Sequence, residues 1–100
     1  MQLAKVIGSL VSTKKSERLQ GLKLLIVTPV EPCTFEEKGK PFLTVDSVGA
    51  GEGEIVMLAG GGSARQTDMT TSKPVDSVIV GIVDSADVLG KRVYDKAKDA

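Results

Sequence analysis

The chain has 100 residues, of which 41% are hydrophobic, so it has room for one domain with one core. Thirteen basic and thirteen acidic side chains cancel, which argues against a dedicated nucleic-acid binder and against a protein held on anionic lipid. The single cysteine rules out an internal disulfide, and no apolar run approaches the roughly 20 residues needed to cross a bilayer. We therefore expect one cytoplasmic domain over residues 1–100 that binds neutral partners or copies of itself.

Short apolar or alternating runs, separated by glycine, proline and charged residues, predict a chain built from strands. Five strands are predicted, over residues 3–11, 22–30, 42–48, 54–59 and 78–83. Residues 31–41 have the composition of a loop, and Cys33 lies in it. Residues 85–90 are predicted to form a turn, followed by a short strand at 92–94 and a frayed tail.

The glycines before the fourth predicted strand could form either a phosphate-binding loop or a tight connection between two strands. Gly49, Gly51 and Gly53 give G-x-G-x-G, but a strand follows them, whereas a dinucleotide site needs a helix at that point. Glu52 and Glu54 would also repel a pyrophosphate. The pattern therefore favours a tight connection between two strands.

A second glycine cluster, Gly60 to Gly62, follows the fourth predicted strand. Two interpretations remain open for it. Its backbone amides, with Ser63 and Arg65, could cradle a small anion, although no Lys-Ser or Lys-Thr pair completes a P-loop. Alternatively, Arg65 could bridge a carboxylate or backbone carbonyls across a subunit boundary. Ser63 can cap a short helical turn near residues 63–68.

Short strands without helix-length periodicity between them predict an all-β fold, a small antiparallel barrel of five strands. Residues 24–27 and 78–83 are apolar at successive positions, so both faces of these strands are apolar. One face can fill the barrel, and the other needs a cover that a chain without helices does not supply. We expect neighbouring subunits to cover it. The alternative is that loops of the same chain do so.

Catalytic chemistry is poorly supported. The chain has no histidine, and Cys33 lies among acidic residues that disfavour a thiolate. Asp46 and Asp76 each stand in a V-D-S-V tetrapeptide, yet this recurrence alone does not place two carboxylates together. Metal-ligand spacing is also missing. We expect no enzyme, no catalytic or metal site and no cofactor.

Three segments together resemble one known family. MQLAKVIGSLVSTKKSERLQGLKLLIV, VDSVGAGEGEIVMLAGGGSARQ and KPVDSVIVGIVD stand in the order and spacing found in the EutN/CcmL family of bacterial microcompartment vertex proteins. The resemblance implies a barrel of OB-like topology that assembles into a homopentamer and caps the vertices of a polyhedral protein shell. It also implies hexameric or trimeric shell proteins as partners, a cytoplasmic location within that shell, and no reaction.

The resemblance assigns roles to three groups of residues. A loop at the axial pore or subunit interface comprises Gly60, Gly61, Gly62, Ser63, Ala64 and Arg65. A family-motif turn comprises Val48, Gly49, Ala50, Gly51, Gly53 and Glu54. A family-motif strand comprises Pro74, Val75, Asp76, Ile79, Val80, Gly81, Ile82, Val83 and Asp84.

The chain departs from the common family pattern at two positions. Gly62 stands where a Ser often precedes the Ser-Ala-Arg element, and Ile55 stands where carboxysome members often have Trp. Ile55 favours a catabolic compartment for ethanolamine, propanediol or glycyl-radical chemistry, with a carboxysome as the alternative.

A different class of protein is the rival interpretation, namely an OB-like module that binds a ligand or single-stranded nucleic acid. Only three aromatic residues are available for base stacking.

Overall fold

The computed structural model describes residues 1–13, 17, 20–60 and 76–99. Within these residues the chain forms seven strands and one short helix. They are β1 (Gln2–Leu10), β2 (Lys23–Pro29), β3 (Phe42–Asp46), β4 (Ile55–Gly60), β5 (Ser77–Ile82), β6 (Ser85–Val88), β7 (Lys91–Asp95) and α1 (Lys96–Asp99). The predicted helical turn near residues 63–68 lies outside the described residues.

Five of the strands close into a barrel in the order β1-β2-β3-β5-β4, which confirms the predicted five-stranded barrel. The expectation that all pairs would be antiparallel is wrong, because β3 and β5 run parallel. Strand direction cannot alternate around a closed ring with an odd number of strands. One parallel pair is therefore unavoidable, and it falls where β5 enters between β3 and β4.

The barrel interior is filled by alternate residues of the strands, as a period of two requires. Leu25 and Val27 of β2 point inward, and the pairing of Val27 with Val6 and of Leu58 with Ile79 continues this layer around the barrel. Each fully buried aliphatic side chain contributes about 1.5–3 kcal/mol to folding. The inner cluster comprises Ala4, Val6, Leu25, Val27, Ala50, Val56, Leu58 and Ile79.

The C-terminal part differs from its prediction. Residues 85–88 form strand β6, and the turn is confined to Leu89 and Gly90, which both have positive φ angles of 52° and 79°. Two residues at positive φ form the tight turn whose twist matches an antiparallel hairpin, so β6 pairs with β7. The tail is not frayed at its start, because Asp95 accepts a hydrogen bond from the amide of Ala97 and caps α1.

This helix has four residues, and among the described residues no helix is long and apolar enough to cross a membrane.

Candidate functional site: assembly surfaces

The family-motif turn after β3 is organised by one buried carboxylate. Asp46, only 4% exposed, accepts hydrogen bonds from the amides of Val48 and Gly49 at Oδ1, at 3.0 and 3.1 Å. Its Oδ2 accepts a third from the amide of Ala50 at 3.0 Å and lies 3.8 Å from Lys23 Nζ. These bonds satisfy a buried charge and fold the turn back, so that Ala50 enters the inner cluster.

The second half of the turn is held by Glu54. Its Oε1 accepts a hydrogen bond from the amide of Gly51 at 2.6 Å, and its Oε2 forms an ion pair with Lys96 of α1. Gly53 has a φ of 87°, which a residue with a side chain rarely adopts. The glycine pattern is thus a tight strand connection, as predicted, and it also fastens the C-terminal segment to the barrel.

The Glu54–Lys96 contact predicts a dependence of stability on pH. The hydrogen bond from Lys96 and that from Gly51 hold the pKa of Glu54 below its ordinary value of 4.5. A depressed carboxyl pKa adds stability above the unfolded-state value, and this stability is lost as the pH falls through the folded-state value. We expect the melting temperature to fall more steeply below about pH 5 in the wild type than in Glu54→Gln.

Thermal melts followed by circular dichroism would measure this difference, with Glu52→Gln as a control because Glu52 is an exposed neighbour. Identical pH profiles of the wild type and Glu54→Gln would contradict the prediction.

The family-motif strand is described from Asp76 onward, and Pro74 and Val75 lie outside the described residues. In β5, Ile79 points into the barrel, and Val78 is fully buried on the opposite face. The ladder with β4 is irregular between Met57 and Leu58. A Cβ at Gly81 would collide with Met57, so this glycine leaves room for the methionine.

Part of the outer face is covered by the chain itself, contrary to the expectation that neighbouring subunits cover it. Val45 pairs with Val78 across the parallel ladder, and both pack with Leu22 in a second cluster outside the barrel. Val45 is 3% exposed and Val78 is fully buried in the single chain. Of the two predicted two-faced runs, the one at 78–83 is therefore covered by the same chain at Val78, through Leu22 and Val45.

The outer face of β1, β2 and β3 remains largely open. Leu10 pairs with Leu24, and Leu43 pairs with Ile26, so these four side chains share the face opposite to Leu25 and Val27. Ile7 follows the inward-facing Val6 and lies outward beside them, and the irregularity between Val6 and Gly8 shifts the alternation so that Leu10 lies outward too. Leu43, Ile7 and Leu10 are 49%, 44% and 40% exposed. We call this surface the outer patch; it comprises Ile7, Leu10, Leu24, Ile26 and Leu43.

Contiguous exposed apolar surface on a small domain indicates an interaction site. The sequence predicts the two-faced strand that contains Leu24 and Ile26, but it does not predict that Ile7, Leu10 and Leu43 are exposed beside it. The pairing register brings them together, and no single strand of the sequence displays that register.

The loop at 31–37 is fixed by local hydrogen bonds. The Glu31 carboxylate accepts the amides of Cys33 and Thr34, at 2.7 and 2.8 Å, and the bond from Thr34 is the main cause that lowers the pKa of Glu31. The backbone at Phe35 has a φ of 61°, and its ring stacks on Tyr94 of β7 with a centroid distance of 5.0 Å. This stack joins the base of the C-terminal hairpin to the barrel.

The described residues contain no group of three or more His, Cys, Asp or Glu side chains that would hold a metal ion. Asp46 is buried in its turn, whereas Asp76 is exposed, so the two V-D-S-V carboxylates occupy different environments. Phe35 and Tyr94 stack on each other and Phe42 packs against the inner cluster, so all three aromatics serve packing.

The remaining predicted loop residues, Gly61, Gly62, Ser63, Ala64 and Arg65, lie outside the described residues. Gly60 is the last residue of β4, and Ser77 is the first residue of β5, the strand that pairs with β4. Residues 61–75 therefore link two adjacent strands of the barrel.

Comparisons with known proteins agree with this architecture. The family model described as ethanolamine utilisation protein EutN/carboxysome matches residues 1–84. The chain is 44% identical to the bacterial microcompartment shell vertex protein GrpN of Rhodospirillum rubrum, over 89% of this chain and 99% of GrpN. The structure of Gloeobacter violaceus CcmL is similar with a TM-score of 0.91 and 32% identity, over 97% of this chain and 99% of that one. The GrpN pentameric microcompartment shell protein has a TM-score of 0.80, over 89% of this chain and all of that one.

Proposed function

Because this chain belongs to the EutN/CcmL family, we propose that it is a structural shell protein that forms a homopentamer and caps the vertices of a bacterial microcompartment. The observation that carries the proposal is the outer patch on three adjacent strands of a closed barrel. It supplies apolar surface for self-association, and the chain is similar over most of its length to a pentameric shell protein. The protein has no catalytic role in this proposal.

The barrel suits this task because a ring closes only when each subunit presents its surfaces at a fixed angle. A cyclic pentamer has heterologous contacts, in which one patch of a subunit meets a different patch of the next. The closed hydrogen-bonded ring of β1 to β5 holds those patches rigidly. The Asp46 turn and the Glu54–Lys96 ion pair fix the connections that shape its surface.

The loop at residues 60–65 is assigned to contacts between subunits near the fivefold axis. Its glycines permit close approach of neighbouring backbones, and Arg65 can make directional bonds to a carboxylate or to backbone carbonyls. Hexameric or trimeric shell proteins would then meet the outer rim of the pentamer. These assignments rest on the resemblance of the G-S-A-R element to the family.

We assign the shell to a catabolic compartment, with a carboxysome as the alternative. The assignment rests on the resemblance at Ile55, because the identities are similar for GrpN, at 44%, and for the carboxysome shell vertex protein CcmL of Synechocystis, at 40%. Ile55 is consistent with it because this position carries a buried aliphatic residue here, packed with Val30 and Tyr94.

Native mass spectrometry at several protein concentrations tests the proposal by counting subunits directly. We expect a closed pentamer. Arg65→Ala should shift the equilibrium toward smaller species on dilution, and Arg65→Lys should do so too, because an ammonium cannot form the two parallel bonds of a guanidinium. A wild-type protein that stays monomeric at all concentrations would overturn the pentamer. An Arg65→Ala pentamer as resistant to dilution as the wild type would overturn only the role of Arg65.

A further inference from the structure

The tip of the C-terminal hairpin combines two unfavourable features. Leu89 is 97% exposed, so almost all of its apolar side chain faces water. Its φ of 52° lies in the left-handed region, where Asn, Asp or Gly is preferred at this turn position. Neither feature gains anything within the single chain. Asn or Asp at this position would relieve both, because each is polar and tolerates the left-handed region.

The hairpin is attached to the barrel only at its base among the contacts that the structure describes. Tyr94 stacks on Phe35, Ala86 packs beside Val30 and Ile55, and Lys96, directly after β7, forms an ion pair with Glu54. The tip at Leu89 and Gly90 lies at the opposite end of β6 and β7 from these contacts. A two-stranded hairpin is marginally stable in water without a further partner.

A surface of matching chemistry lies elsewhere on the same chain. The outer patch exposes aliphatic side chains on one face of three adjacent strands, and Gly8 lies beside the Ile26 side chain within it. Leu43 pairs with Ile26 there, and 49% of its surface is exposed. An aliphatic side chain seated there would remove apolar surface from water on both sides of the contact.

We propose that Leu89 of one copy seats on the outer patch of the next copy, beside Ile26 and Leu43. The inference rests on the proposed pentamer and names one of its contacts. A second copy is the occupant because a cyclic ring pairs two different surfaces of the same chain, and this chain carries a projecting apolar tip and an open apolar face.

Leu89→Asn separates this role from a purely structural one. Asn tolerates the left-handed conformation, so the single subunit should keep or raise its melting temperature, whereas dilution should dissociate the pentamer at a concentration about tenfold higher. Lys91→Gln, two residues away on the same hairpin, is the control and should leave the dissociation unchanged. A lower melting temperature with unchanged dissociation would overturn the inference.

Cross-linking identifies the receiving surface. Two singly substituted proteins, Leu89→Cys and Leu43→Cys, are prepared in a Cys33→Ser background, mixed and oxidised. We expect a disulfide between the two different chains, and none when either protein is oxidised alone. A wild-type pentamer whose mixed variants assemble without this disulfide would overturn the inference and leave the proposed function intact. A monomeric wild type would overturn both, and native mass spectrometry distinguishes the two results.

Discussion

Replacing Asp46 with Asn is expected to lower the free energy of unfolding by about 3 kcal/mol. The carboxylate uses both oxygens as acceptors, one for two amides and the other for the amide of Ala50. An Asn side chain has one acceptor oxygen, so its NH₂ group would face a backbone donor, and Lys23 would lose its partner ion. Stability is lost because buried amide donors are left without acceptors in the turn that brings Ala50 into the inner cluster.

Chemical denaturation followed by circular dichroism measures this loss, and the chain supplies a matched control. Asp76 occupies the same position in the second V-D-S-V tetrapeptide but is exposed, so Asp76→Asn should change stability by less than about 0.5 kcal/mol. Equal effects of the two substitutions would show that the turn does not depend on the buried carboxylate.

This pair of aspartates shows what sequence patterns establish and what they omit. The glycine pattern identified the connection between β3 and β4, because glycine readily accepts the φ angles of Gly49 and Gly53, which residues with side chains rarely adopt. The two tetrapeptides look alike, however, and nothing in them indicates which carboxylate is buried. That difference depends on the fold around each one, namely on three amides that turn back toward Asp46.

The strand positions were predictable because apolar alternation is a local property. The parallel pairing of β3 with β5 was missed because it depends on closure of the whole ring. Strand β6 was mistaken for part of a turn over residues 85–90, whereas the short strand predicted at 92–94 is confirmed as β7. The pairing of β6 with β7 was missed because the hairpin is anchored by the distant contact of Tyr94 with Phe35. Phe35 lies in a segment whose composition predicts only a loop.

The outer patch and the hairpin tip could not be predicted from the sequence either, because both depend on how the strands pair. Register joins residues of three strands into one surface, and a two-residue turn projects Leu89 away from the barrel. Both features leave apolar atoms in water, which a single soluble domain has no reason to retain in such arrangements. Self-association accounts for both at once, and the rigid base of the hairpin then becomes part of the assembly surface.

Replacing Tyr94 with Ala tests that base directly and is expected to cost about 3 kcal/mol of unfolding free energy. Tyr94 is 8% exposed and packs with Val30 and Ile55, so its removal leaves a cavity and frees Phe35 from the stack that helps hold its left-handed backbone. The amides of β6 and β7 should exchange faster than in the wild type. The amides of β1 and β2 should still exchange only through global unfolding of the barrel.

Val93→Ala is the control, because Val93 neighbours Tyr94 on the same strand but is only partly buried, and it should cost about 1 kcal/mol or less. If exchange in Tyr94→Ala increased uniformly across the barrel and hairpin, the two would unfold as one unit, and the hairpin would not be a separately anchored element. If exchange in Tyr94→Ala increased mainly in β6 and β7, the stack of Tyr94 on Phe35 would be what holds the hairpin, and with it the tip, in one orientation. Loss of that stack should then weaken the pentamer as well as the subunit, since Leu89 can seat on its neighbour only when the hairpin holds one orientation.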